Sequence, residues 1–163
     1  MSINYASHET TGGVEMLVIG DPISSVLGIK ASDPLSLMAA VEHGLPLAAL
    51  DRVVHAVAPA DNKFAFRIVT RSTLARRRKT WAAAKQDTAS RLSAEEGTRL
   101  ARLASVWTMA VSVWGDEAAA RRFMFEAHPL LQGRRPVDVV LENELGRPVV
   151  EGILGRLQYG SAV

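Results

Sequence analysis

Ser93-Ala94-Glu95-Glu96 contains both halves of a capping box. A hydroxyl at the cap can accept from the backbone N–H three residues on, and a carboxylate there can reach back to the cap. One period governs the residues after it. Leu100, Leu103, Ala104, Trp107, Ala110, Val111 and Trp114 recur at helical spacing over four turns, and Gly115-Asp116 ends the run. A stripe that long and wide has to be buried against other elements, so this helix is expected to be the core of the second half of the chain. The residues around it obey the same rule. Asp116 caps a helix whose inward residues are Ala120, Phe123, Met124 and Ala127, and Pro129 breaks it. Gly133-Arg134-Arg135-Pro136 is a turn, and Pro136 starts a short helix carrying Val137, Val140 and Leu141 that Gly146 ends. Pro148 starts a last helix, with Val149, Ile153, Leu154 and Leu157 expected inward and Tyr159 to Val163 as a tail. Gly152 and Gly155 lie within it and are read as permitting close helix approach.

The first half follows the same grammar. Residues 1–32 are expected to be a flexible arm, with a short strand possible over Val14–Ile19 (VEMLVI). Asp33-Pro34 reads as a cap and first helical position, with the helix reaching His43 and Gly44 stopping it. Leu45-Pro46 opens another, striped by Leu47, Leu50, Val53, Val54 and Val57 and ending near Pro59. A short third helix is predicted from Asp61 to about Val69. The sum is an all-α chain with a seam between Asp87 and Leu92.

Charge is concentrated in one place. Asn62 to Gln86 holds eight cationic residues and no acidic one, whereas the whole chain nets +2, so the remaining residues net −6. That is a localised anion-binding surface. Ser72 is expected to cap a helix in which Thr73, Arg76, Arg77 and Thr80 share one face, with Leu74 and Trp81 on another face that can dock onto the core. Arg71, Ser72, Thr73, Arg76, Arg77, Arg78, Lys79 and Thr80 are the DNA-contact candidates. A short helix, a brief turn and a basic helix are the parts of a helix-turn-helix in its order.

Catalytic and metal chemistry find no foothold. The four histidines are far apart, with no second ligand at metal spacing. There is no glycine-rich phosphate loop, Glu142 and Glu144 point differently on a helix, and no convergent polar constellation emerges. The chain has no cysteine, which fits a reducing cytoplasm, and no apolar run long enough to span a bilayer. No cofactor is expected.

An ordered set of motifs resembles a known family. It comprises Ser72-Thr73-Leu74-Ala75-Arg76-Arg77, the run Leu92-Ser93-Ala94-Glu95-Glu96, Arg99-Leu100-Ala101-Arg102-Leu103, Gly115-Asp116-Glu117-Ala118-Ala119, Gly133-Arg134-Arg135-Pro136-Val137-Asp138, and Val150 through Gly160. From about residue 45 onward the chain resembles the Xre/MbcA/ParS antitoxins, partners of RES-domain toxins. Two departures stand out: Arg135 where the family usually has threonine, and Glu144-Leu145 in place of Thr-Glu.

The resemblance implies an Xre-like helix-turn-helix domain over 33–90 for DNA binding and dimerisation, and a small helical toxin-binding domain over 91–163. It implies a homodimer or higher assembly within the toxin complex, repression of the chain's own operon at operator DNA, and blockage of the active-site cleft of a toxin that consumes NAD or transfers ADP-ribose. Carried over, the toxin contacts are Arg134, Arg135, Arg156, Tyr159, Gly160, Ser161 and Val163. Tyr159 either anchors a partner or folds back on its own domain. Arg156 either meets a toxin carboxylate or pairs internally with Glu151 or Glu142. Two rivals remain from the residues themselves: a helix-turn-helix regulator with a ligand-sensing C-terminal half, and a small helical enzyme.

Overall fold

The computed structural model describes residues 21–84 and 90–160. These form eight α-helices, two short 3-10 turns and no strand beyond two isolated bridges, so the fold is all-α. The expected strand at Val14–Ile19 and the tail residues Ser161 and Val163 lie outside the described residues.

Of the stretch expected as a flexible arm, residues 21–32 are folded. Asp21 caps α1 (Pro22–Leu27), Pro22 stands at its first position, and Gly28 closes it in the left-handed conformation at φ 68°. Leu27 is only 1% exposed. α2 (Pro34–His43) runs as predicted: Asp33 Oδ1 accepts from the N–H groups of Leu35 and Ser36, each at 3.0 Å. α3 (Leu47–Val57) buries Leu50, Val53 and Val57 completely. The helix predicted from Asp61 is only a 3-10 turn, Phe64–Arg67.

The basic helix, α4 (Arg71–Ala84), begins two residues before the expected start. Thr70, not Ser72, caps it: its hydroxyl accepts from the Thr73 N–H at 3.4 Å and donates to the Thr73 hydroxyl at 2.9 Å. Leu74 docks onto the core as expected. Trp81 does not; it is 54% exposed.

α5 (Ala94–Trp114) is the centre of the molecule. Its capping box is complete, and Gly115 ends it at φ 69°. It packs against α1, α2 and α3 and also against α6 (Glu117–Phe125), α7 (Pro136–Glu142) and α8 (Gly146–Gln158). One apolar cluster therefore runs from Leu27 to Leu154. Arginines stitch the halves together. Arg67 pairs with Asp138 on α7 at 2.7 Å, Arg99 donates to the Ile68 carbonyl at 3.2 Å, and Arg121 donates to the Ala56 carbonyl at 2.8 Å while stacking over Trp107. The boundary expected at 90/91 falls in a segment tied to the start of α3: Leu47 N–H donates to Ser90 O at 3.0 Å, and Leu92 N–H to Leu45 O at 2.8 Å.

Gly146 opens α8 instead of ending α7. A Cβ there would stand 1.8 Å from the Val139 carbonyl oxygen, so only glycine lets α8 start this close to α7. Gly152, expected to allow close packing, meets nothing within 4 Å.

Candidate toxin-binding and DNA-binding surfaces

α8 buries Val150, Ile153 and Leu154 against the core. Val149 and Leu157, expected inward with them, are instead about half exposed. Val149 belongs to a row. Leu145, Val149, Gly152, Arg156 and Tyr159 alternate spacings of four and three and so share one face. Leu145 is 76% exposed and Tyr159 81%. Tyr159 is therefore not folded back on its own domain. Gly152 leaves the middle of this face without a side chain, and the Arg156 guanidinium folds back onto its carbonyl.

Arg156 pairs with neither Glu151 nor Glu142. Its Nε donates to the Gly152 carbonyl at 3.2 Å, while Glu151 is taken by Arg147 at 2.8 Å and Glu142 by Arg134. Its charge thus has no counter-ion among the described residues. Arg134 and Arg135 are engaged within the unit. Arg135 Nε donates to Asp138 Oδ2 at 2.6 Å, and Asp138 raises the Arg135 guanidinium above its ordinary value. Burial pushes the Asp138 carboxyl up, but bonds from Arg135 and Arg67 outweigh it and hold it below the usual range.

Sequence reasoning placed Trp114 in the core and missed a groove beside it. Trp114, Phe123, His128 and Leu157 line a cavity of about 270 Å³ where α5, α6 and α8 meet. The Phe123 ring lies 6.1 Å from that of Trp114 and 5.9 Å from that of His128. His128 Nδ1 accepts from the Leu130 N–H at 3.3 Å, and His128 N–H donates to the Arg134 carbonyl at 3.0 Å. That hydrogen bond ties the Arg134 backbone to the turn from which His128 lines the groove. The only sequence signal was the placement of Trp114 at a helix end, against Gly115.

The basic helix shows a divided face. Arg77 is turned inward and donates to Glu96 at 2.5 Å, its side chain 19% exposed. The same carboxylate oxygen accepts from the Ser93 N–H at 2.8 Å, completing the capping box. Burial pushes the Glu96 carboxyl up, yet Ser93 and Arg77 outweigh it and the net is a value below the ordinary range. Arg78 pairs with Asp51 at 2.6 Å in the open. Thr80 donates to the Arg76 carbonyl at 3.0 Å. Arg71, Arg76 and Lys79 are exposed and enter no ion pair among the described residues. Ser72, Arg76 and Lys79 succeed one another at four and three residues and share a face, flanked by Thr73 and Thr80. Of the eight DNA-contact candidates, Arg77 is the one committed inward.

Among the described residues no group of three or more histidine and carboxylate side chains could hold a metal ion, and no helix is long and apolar enough to cross a membrane. No curated protein matches the chain. Residues 109–160, from the last turns of α5 through α8, match the model of the family described as antitoxin Xre/MbcA/ParS C-terminal toxin-binding domain, and over that span the chain is similar to type II antitoxins.

Proposed function

We propose that this chain is the antitoxin of a type II system, that it silences a RES-domain toxin by covering the toxin's active-site cleft with the exposed face of α8, and that α4 binds operator DNA to repress the shared operon. The observation that carries the reading is the row Leu145, Val149, Gly152, Arg156 and Tyr159, which crosses the span matched to a toxin-binding domain. A face of this kind has the parts of a protein-binding site. Tyr159 is large, rigid and amphipathic; Val149 and Leu145 offer apolar area; Arg156 offers a charge that no internal carboxylate neutralises. Inhibition by occlusion needs shape and anchors, not a catalytic group. Gly160, Ser161 and Val163 continue from Tyr159 and are the residues small enough to enter a cleft behind it. Arg134 and Arg135 contribute by shaping the turn beside the aromatic groove.

DNA binding is supported by the uncommitted cations of α4. Arg71 stands in its first turn, where unpaired backbone N–H groups favour a phosphate. Arg76 and Lys79 continue along the exposed face, in reach of a duplex groove. One such helix holds few phosphates, so we read the DNA-bound form as a pair of chains presenting two α4 helices to a two-fold operator. Labour is then divided between residues 33–90, for DNA and pairing, and residues 91–163, for the toxin.

Calorimetric titration of purified toxin with Val149→Asp tests the toxin half. Val149 is already half exposed, so the fold is retained; the expected result is a large loss of affinity. Undiminished affinity would remove the α8 face from the interface.

A further inference from the structure

Opposite charges four residues apart pair readily on these helices: Arg99 holds Glu95, Arg121 holds Glu117 and Arg147 holds Glu151. Arg122 and Glu126 have the same spacing on α6 and its C-cap. Both are exposed, and neither enters an ion pair among the described residues. Both line the aromatic groove. Its walls are uncovered as well. Trp114 and Leu157 are each about half exposed, while Phe123, whose ring meets those of Trp114 and His128, is buried and forms the floor. The groove thus offers rings within and an unspent charge of each sign at its rim.

Size and charge narrow the occupant. The cavity holds about 270 Å³, just under the ~300–1,000 Å³ of small-molecule pockets, so it suits one side chain of a protein partner. Three rings favour an aromatic side chain, which can meet them edge to face. A cation would also be drawn to the ring faces, but Arg122 on the rim offsets the attraction of Glu126. Position narrows the partner. Every residue lining the groove falls within the span 109–160 matched to the toxin-binding domain. Arg156, Leu157, Gln158 and Tyr159 are all exposed, and four successive residues take in most of a helical turn, so this end of α8 stands clear of the core. A cleft closing round it would meet Arg156 and Tyr159 on one flank and Leu157, a wall of the groove, on the other.

We propose that this groove receives an aromatic side chain of the toxin, so that the two proteins exchange anchors: Tyr159 enters the toxin, and a toxin ring enters against Trp114 and Leu157. Anchors seated in desolvated pockets carry most of an interface's affinity, and they tend to pair with one another across it. This deepens the toxin-binding reading above, and rests on it.

Calorimetric titration of the purified toxin with the full chain tests it. Ala127 lines the groove from an exposed position just after α6, so it can be changed without disturbing the core. Ala127→Trp and Ala127→Arg fill the groove with different shapes, and Ala127→Ser leaves it open. All three should keep the wild-type Tm. The two large replacements should weaken toxin binding on the order of a hundredfold, and serine should leave it unchanged. Glu126→Gln should change affinity far less than either large replacement. No binding by the wild-type chain would overturn both this site and the reading it rests on. Binding lost in Val149→Asp but kept in Ala127→Trp and Ala127→Arg would overturn the groove alone. A loss in Glu126→Gln as deep as in Ala127→Trp would assign the groove to a cation. A fall in the sedimentation coefficient of the toxin-free chain on Ala127→Trp would assign it to a second copy. Either result would overturn the aromatic receptor.

Discussion

α4 and α8 are nearly equal in length, 14 and 13 residues, and each presents an exposed face to solvent, yet they are anchored in opposite ways. α8 sinks Val150, Ile153 and Leu154 into the common core and begins in close contact with α7 at Gly146. Among its described side chains α4 buries Leu74 alone, and it is also held by Arg77 to Glu96, by Arg78 to Asp51 and by the Ser90 hydroxyl donating to the Arg77 carbonyl at 3.0 Å. The difference fits the two partners proposed for the chain. A protein cleft discriminates by shape, so its inhibitor needs apolar anchors on a rigid support. A phosphate backbone is bound through charge, which acts over distance and tolerates a lightly held helix.

This contrast can be broken most forcefully at the core. Leu154→Ala should cost about 2–5 kcal/mol of global stability, read by thermal or denaturant unfolding. Leu74→Ala should cost the cooperative transition less, about 2 kcal/mol at most, because that site can collapse, while raising proteolysis within α4. Equal losses would mean that α4 is as integral as α8.

At the interface level, Tyr159→Ala should weaken toxin binding by about 2 kcal/mol or more with Tm unchanged, because the ring makes few contacts within its own chain. Operator affinity, measured on the same sample, should not move. Within α4 the arginines should divide by role. Arg76→Ala with Lys79→Ala should leave Tm alone and reduce the slope of log affinity for DNA against log salt by about 2. Arg77→Ala should instead lower stability by about 2 kcal/mol, since it leaves Glu96 without its guanidinium partner.

Acid gives the finest test. Glu96 is held below its ordinary range in the folded chain, so the stability it contributes is present above its unfolded value and lost as pH falls through the folded one. Glu96→Gln should therefore start less stable at about pH 7 and lose less than wild type from about pH 5 downward, as tracked by Tm.

Much of the fold was written locally. Ser93 with Glu96, Asp33 with Pro34, and Asp116 each satisfy their own helix N-termini within a few residues, and those starts are where the sequence put them. α1 carries the same signals in Asp21, Pro22 and Gly28, but six residues are too few for a period to show, and only burial of Leu27 makes it a helix of the fold. The third predicted helix shrank to one 3-10 turn because Asp61 accepts from Lys63 and Thr70 restarts the chain a few residues on. The surfaces were less legible, because they depend on distant residues. Nothing near Arg77 announces Glu96, and nothing near Arg135 announces that Asp138 also holds Arg67. Val149, Leu157, Trp114 and Trp81 are apolar, and an apolar residue on a helix reads as inward. On α8, Val149 and Leu157 lie at the surface because Val150, Ile153 and Leu154 already fill its buried side. A groove around Arg102 joins α2 to α5 across about sixty residues of sequence and leaves no local trace.

Toxin neutralisation is proposed to reside on the exposed face of α8, apart from the α4 face proposed for DNA. The most direct measurement is growth of cells expressing the toxin together with a Val149→Asp, Tyr159→Ala chain whose Tm and operator affinity have been verified as wild type. Growth arrest should be as complete as with no antitoxin, while the Arg76→Ala, Lys79→Ala chain at equal abundance should protect fully. Full protection by the α8 variant would contradict it and move the inhibitory surface elsewhere on the molecule.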